Sequence, residues 1–224
     1  MVKQERAART RRSLIQAAAE VFAEEGFVAA SLGAISKRAG VSNGALHFHF
    51  ANKSMLAEAV EAEATEAVRR LTEAARARQG DSLQTVVDAT HDLMRSLVQD
   101  VVVRGGFELA SDITRRTKSP LRAQWRQWVE DSLGRAERSG ALAEGVSSSD
   151  AARVIVAATV GLEVLGGADA SWLARQNITR FWELLLPRLV DRQDLATLVC
   201  AGSRPPTAAP ETAQGTVAAD ASER

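Results

Sequence analysis

The sequence predicts an all-α protein in which a three-helix N-terminal head, a helix-turn-helix, precedes a larger helical body. Apolar residues recur every three or four positions along nearly the whole chain, alternating strand patterns are absent, and helix caps and glycines punctuate the segments. Leu14, Ala17, Ala18, Val21 and Phe22 share one face of a first helix with a basic start. Ser31 is a side-chain cap for a short second helix carrying Leu32, Ile35 and Ala39, and Gly40 supplies the left-handed residue that stops it. Ser42 caps a third helix, in which Leu46 and Phe50 turn inward while Asn43, Ala45 and His47 turn out. From Lys53 a long helix runs to about Arg78 through Leu56, Val60, Val68 and Leu71, ended by Gln79-Gly80.

The body follows from the same signals. Asp81 or Ser82 opens a helix bearing Leu83, Val86, Val87, Leu93, Met94, Leu97 and Val98, and Gly105-Gly106 interrupts it or its successor. Ser119-Pro120 reads as a cap with Pro at the first helical position, opening a helix through Trp125, Trp128 and Leu133 to Gly140. Ser147 to Ser149 precede a helix from about Asp150 to Leu165. Ser171 opens the last, through Phe181 and Trp182 to about Val190, with Pro187 placed to kink its end. Beyond Ala201 the composition turns to Ala, Thr, Pro, Ser and Gly without period, which predicts a disordered tail. The organisation is therefore a head over 1–53, a body over 54–200 and a tail over 201–224.

Residues 31–53 carry the functional signal. Two short helices about a glycine break, followed by a Lys opening a long helix, read as a DNA-binding motif whose second helix enters a major groove. Asn43, Gly44, Ala45 and His47 are the candidate base-edge residues, His47 being readable equally as solvent-exposed. Ser31 and Ser42 double as caps and backbone contacts. Lys53 is placed to meet phosphate together with the amides at the start of its helix. Lys3, Arg6, Arg9 and Arg11 are candidate phosphate contacts, the alternative being a merely solvated helix face. The whole chain is balanced, 28 basic against 28 acidic residues, which would argue against nucleic acid. The distribution reverses this: residues 1–53 hold eight basic and four acidic residues, a basic head on an acidic body.

Val41, Ser42, Gly44, Leu46, His49, Phe50 and Lys53, with the ERAARTRRSLIQAAAEVFAEEGF segment before them, resemble the signature of TetR-type repressors. The family usually has Tyr where this chain has His47. The resemblance implies a homodimer that binds palindromic operator DNA and is released by a small molecule. It narrows toward the γ-butyrolactone receptor branch on the ALxFHF core from Ala45 to Phe50 and a Trp upstream of the Gly140-Ala-Leu helix end. That branch implies actinobacterial control of antibiotic-production genes, with a lactone-type inducer in a pocket walled by a Trp, matched here to Trp125 and otherwise to Trp128. Ala64 stands where the branch often carries Gln, which points toward pseudo-receptors that answer other ligands such as antibiotics.

The segment 152–167, ARVIVAATVGLEVLGG, is apolar nearly all round. Either a monomer buries it centrally, or Val154, Ile155, Ala158, Leu162 and Leu165 pack on both their own body and a second copy. In the second case the last helix, with Phe181 and Leu185, completes a four-helix dimer interface, as the resemblance implies. Trp125 and Trp128 are likewise readable as core or as the wall of a pocket shared with Leu93, Val98 and Thr159.

Other chemistry is thinly supported. Gly40-Val41-Ser42-Asn43-Gly44 matches G-x-S-x-G, but the motif needs a strand before the serine and finds a helix carrying Lys37-Arg38. His47 and His49 diverge on a helix and cannot share a metal, so His49 reads as a packed residue; His91, among Asp88, Asp92 and Arg95, receives no role. No cofactor, metal or enzymatic activity is expected. The rivals are a DNA-binding dimer without an inducer pocket and, further off, a hydrolase on a helical body. The single Cys200 forms no intramolecular disulfide, and no apolar run suits a signal or a membrane span, so a cytoplasmic location is expected.

Overall fold

The computed structural model describes residues 2–79, 83–112, 114 and 120–203, without the side chains of Val2, Lys3 and Gln79. The proposed helix start at Asp81 or Ser82, Ser119 and residues 204–224 of the expected disordered tail lie outside the described residues, while Ala201 and Ser203, at the start of that tail, are held by Arg175 and Asp88 and so depart from the expectation. Within them the fold is all helix. The head comprises α1 (Val2–Ala29), α2 (Leu32–Arg38), α3 (Asn43–His49) and the start of α4 (Lys53–Gln79). Gly26 breaks α1 with φ 75°, a left-handed conformation that a β-carbon would strain. Ser31 and Ser42 cap α2 and α3 as the sequence predicts, accepting from the Ala34 and Ala45 amides at 3.1 and 3.2 Å. Asn52 does the same for α4 through Met55.

The body holds α5 (Leu83–Gln99), α6 (Val101–Ser111), α7 (Leu121–Arg138), α8 (Ser148–Ala168), α9 (Arg175–Leu189) and the short α10 (Arg192–Leu195). Two expectations need correction. Gly105-Gly106 interrupts nothing: the break falls at Asp100, whose carboxylate caps α6 through the Val102 and Val103 amides. Ser171 does not open the last helix; a 3₁₀ turn at Ala170–Leu173, capped by Asp169, precedes it, and α9 starts at Arg175. The helix α10 has no counterpart in the sequence reading.

Two buried clusters divide the core. In the head Leu14, Ile15, Phe22, Ile35, Leu46 and Leu56 are all fully buried. In the body Val86, Leu121, Trp125, Val129, Leu133 and Trp182 play that part. Helix α4 serves both, giving Leu56 and Val60 to the head and Ala64 and Val68 to the body. Helix α6 does so too, because Leu109 packs into the head core. Its two glycines allow this. A β-carbon on Gly105 would stand 2.7 Å from the Ala19 carbonyl oxygen of α1, and one on Gly106 would overlap the Ala64 methyl of α4. Helix α6 is thus seated directly against the two helices that carry the head.

Candidate nucleic-acid interface and ligand pockets

The outward side of α3 is set by how its inward side is anchored. Leu46 and Phe50 sink into the head core, and the Ser36 hydroxyl donates to Asn43 Oδ1 at 2.6 Å, tying α3 to α2. Ser42, Asn43, Gly44, His47 and Phe48 are left exposed, whereas Ala45 is half-buried. Asn43 is thus exposed while its side-chain oxygen accepts from Ser36. Phe48 was absent from the predicted set and is 81% exposed. The signal was available, since a residue between Leu46 and Phe50 lies on the opposite side of the helix. His49 is half-buried, edge-on to Phe48 at 5.2 Å.

The basic residues separate into two groups. Arg6 and Arg9 are exposed on α1, as is Ser31 at the start of α2. Arg11 is exposed as well but lies over the Phe50 ring at 5.4 Å and 3.7 Å from Glu63. The Lys3 side chain lies outside the described residues. Lys53 is a correction: its ammonium donates to the carbonyls of Phe27, Val28 and Ala30 at 2.6, 3.1 and 2.8 Å and sits 4.6 Å from the Phe27 ring. Three donors on three carbonyls leave it as the clasp that ends α1, not as a phosphate ligand. Arg38, likewise, is held by Glu24 through paired bonds of 2.9 and 2.8 Å, which pull the Glu24 carboxyl below its usual range.

In the body, the five residues expected to share a pocket do not line one cavity. Trp125 is closed into the core and donates its indole N–H to Thr159 Oγ1 at 3.0 Å, and Thr159 in turn donates to the Ile155 carbonyl. Leu93 is also buried. Trp128 stacks on Trp125 with ring centres 5.5 Å apart and borders a cavity of about 420 Å³ between α4 and α7, with Thr72, Gln124 and Gln127. Val98 instead lines a different cavity, of about 300 Å³, against α9.

Helix α8 is buried only along Ala151, Ala152, Ile155, Thr159 and Glu163. Its Val154, Val164 and Leu165 are 50, 54 and 45% exposed, and Leu184 on α9 is 80% exposed. Ala158, Leu162, Phe181 and Leu185 are half-buried along the same two helices. The central burial in a monomer weighed from the sequence is therefore not what this chain does. Against the expectation that no apolar run suits a membrane span, α8 is long and apolar enough for one, by length and composition only. It also carries Glu163, buried against the Arg122 guanidinium at 2.7 Å, where loss of water pushes the carboxyl up and Arg122 opposes the shift.

Comparison with known proteins bears on this arrangement. Residues 14–60 match the family profile described as bacterial regulatory proteins, tetR family. The A-factor receptor protein of Streptomyces griseus is 30% identical over 194 residues, covering 84% of this chain and 67% of that protein. A γ-butyrolactone receptor described as ArpA-like superposes with a TM-score of 0.76 at 29% identity, over 88% of this chain and 96% of its own. CprB of Streptomyces coelicolor, solved with its biological operator sequence, gives 0.73 at 30% identity, over 86% and 94%.

Proposed function

The chain belongs to the TetR family of bacterial regulators as a γ-butyrolactone receptor-like protein, and from that premise we propose that it is a homodimeric, ligand-released repressor of palindromic operator DNA. The observation that carries the DNA reading is α3, anchored through Leu46 with Asn43, Gly44, His47 and Phe48 exposed. Phosphate contacts from Arg6, Arg9 and Ser42 fix the register, and the α3 side chains read base edges. Phe48 suits a thymine methyl. The apolar α8–α9 surface joins two chains, because a dimer sets two α3 helices into grooves about 34 to 36 Å apart.

Release works through α4. A small lactone-type signal or an antibiotic that enters the groove beside Trp128 pushes α7 from α4, and α4 carries the head. Helix α6, held against Ala19 and Ala64 through its glycines, passes the same shift to α1. A coupling of about 1 to 3 kcal/mol alters operator affinity roughly 5- to 150-fold. By this reading the regulated genes are those of antibiotic or related secondary metabolism, the protein works in the cytoplasm, and it uses no metal, cofactor or catalytic group. Its relatives are transcriptional regulators. The closed Trp125–Thr159 contact favours the second reading, a dimer whose Trp pair is only core. Quenching of Trp fluorescence by inducer separates the two.

The experiment for the DNA reading is a fluorescence anisotropy titration of duplex DNA across a salt series. Binding should weaken steeply with salt, and Arg6→Ala or Arg9→Ala should each reduce the log–log slope by about one. Salt-independent binding, or slopes untouched by both substitutions, would refute the phosphate assignment.

A further inference from the structure

Residues 199–203 lie across α5 as a strap, each held by a bond. Gln84 donates to the Val199 carbonyl at 3.2 Å and accepts from the Val199 amide at 2.8 Å. His91 Nε2 donates to the Cys200 carbonyl at 2.9 Å, and the Arg175 guanidinium clasps the Ala201 carbonyl at 3.1 and 2.5 Å. The Gly202 amide donates to the Val199 carbonyl. Asp88 accepts from the Ser203 amide at 2.8 Å and from its hydroxyl. Gly202, at φ 77°, lies so flat on the imidazole that a β-carbon would meet His91 at 3.0 Å. An irregular segment with its backbone groups satisfied by side chains is fixed in place, not draped.

Under the strap is the cavity of about 300 Å³. Met94, Val98, Leu173 and Ile178 form apolar walls, and Ala201 and Gly202 of the strap close it. Its ionisable lining is self-neutralising. Asp88 and Asp92, 2 and 5% exposed, share the lining with Arg95 and Arg175; Asp92 is paired with Arg78 at 2.8 Å and with Arg95, and Asp88 accepts from Gln84 at 2.8 Å and from Ser203. Burial also pushes the His91 imidazole toward its neutral form. A ligand carrying a net charge would lose water here without gaining a counter-charge, whereas a neutral one would not. The size falls at the lower end of ligand pockets, which run from roughly 300 to 1,000 Å³.

We propose that this cavity is a ligand site, separate from the Trp128 groove, for a small uncharged molecule that is mostly apolar with a single hydroxyl or carbonyl group, enclosed by the 199–203 strap. The two cavities share no lining residue. Because the strap is one wall, an occupant there holds it down.

The test uses full-length protein and 2-naphthol, which is neutral near neutral pH, with 2-naphthoate and 2-naphthylmethylammonium as its charged counterparts. Calorimetry should show 2-naphthol saturating at one per chain and each ion binding at least about tenfold more weakly. Val98→Trp, at a half-exposed wall position, should weaken 2-naphthol by about tenfold or more, and Trp128→Ala should leave it unchanged. In wild-type protein saturating 2-naphthol should slow hydrogen exchange of the Val199 and Ser203 amides, a readout that stands even if a variant fails to fold. Absence of saturable binding, or strap amides that exchange at the same rate with ligand, overturns the site. Loss of binding in Trp128→Ala assigns the probe to the other groove and overturns it as well. Equal affinity for the ions overturns the ligand class. No DNA enters the assay, so this site and the repressor reading fail separately.

Discussion

Leu46 and Leu184 both sit on amphipathic helices, yet Leu46 is fully buried in the head while Leu184 is 80% exposed on the body. The contrast extends to their surroundings. In the head, α1, α2, α3 and the start of α4 close a core around Leu14, Phe22, Ile35 and Leu56, and Phe48 is the conspicuous apolar side chain left outside on α3. In the body, α8 and α9 leave Val154, Val164, Leu165 and Leu184 outside together. A head whose core is closed by its own helices together with Leu109 of α6 needs only DNA on its outer face. A body with an uncovered apolar face is suited to a second copy, since burying such area contributes roughly 25 cal/mol per Å² before association costs.

The largest effect is expected from hollowing the body. Trp125→Ala removes a buried indole and leaves the Thr159 hydroxyl without its donor, so unfolding free energy should fall by about 3 to 5 kcal/mol, read by thermal or urea melting. A loss below about 1 kcal/mol would show that the Trp pair is not packed as core. Next comes Leu184→Glu. The side chain is exposed in one chain, so the fold should survive while self-association weakens by roughly 100-fold or more, about 3 kcal/mol, through an unpaired charge in an apolar interface. Sedimentation at micromolar concentration is the check, and unchanged association would move the interface away from α9.

Gly105→Ala tests where the two regions meet. The added methyl has only the Ala19 backbone to press on, so stability should fall by about 1 to 3 kcal/mol and operator affinity should change with it. If stability drops but DNA binding does not, α6 supports the head without adjusting it. The smallest effect concerns pH. Burial lowers the His91 pKa from 6.5, helped by Arg175 and opposed by the Cys200 carbonyl bond and by Asp88 and Asp92. A histidine whose folded pKa is depressed contributes stability that is fully present above about 6.5 and is lost as pH falls through the folded value. Acidification should therefore lower the protection of the Ser203 and Val199 amides relative to their intrinsic exchange rates at each pH, and His91→Phe should flatten that dependence.

Legibility in the sequence follows the same division. Head elements are local: Ser31, Gly40 and Ser42 each fix a helix end within a few residues, so a cap or a glycine is enough to place them. The body depends on contacts distant in sequence. Gly105-Gly106 has the composition of a break, and only the close approach of Ala19 and Ala64 explains why the helix continues. Lys53 misled for the same reason, because its carbonyl partners at Phe27, Val28 and Ala30 lie more than twenty residues away. The Trp125–Thr159 pairing was legible as proximity, but whether it encloses space or fills it is a matter of packing that periodicity does not carry. The strap was invisible, since Val199 to Ser203 has no period and its anchors, Gln84, Asp88 and His91, are spread over α5.

The claim that joins head to body is that two heads are held at a fixed separation by the α8–α9 face. Selecting bound sequences from a random duplex pool with the purified full-length chain tests it most directly. Dimerisation through that face predicts enrichment of an inverted repeat with half-site centres about one helical turn, roughly 34 to 36 Å, or a multiple of it apart. A single unrepeated motif, or no enrichment above the starting pool, would contradict it.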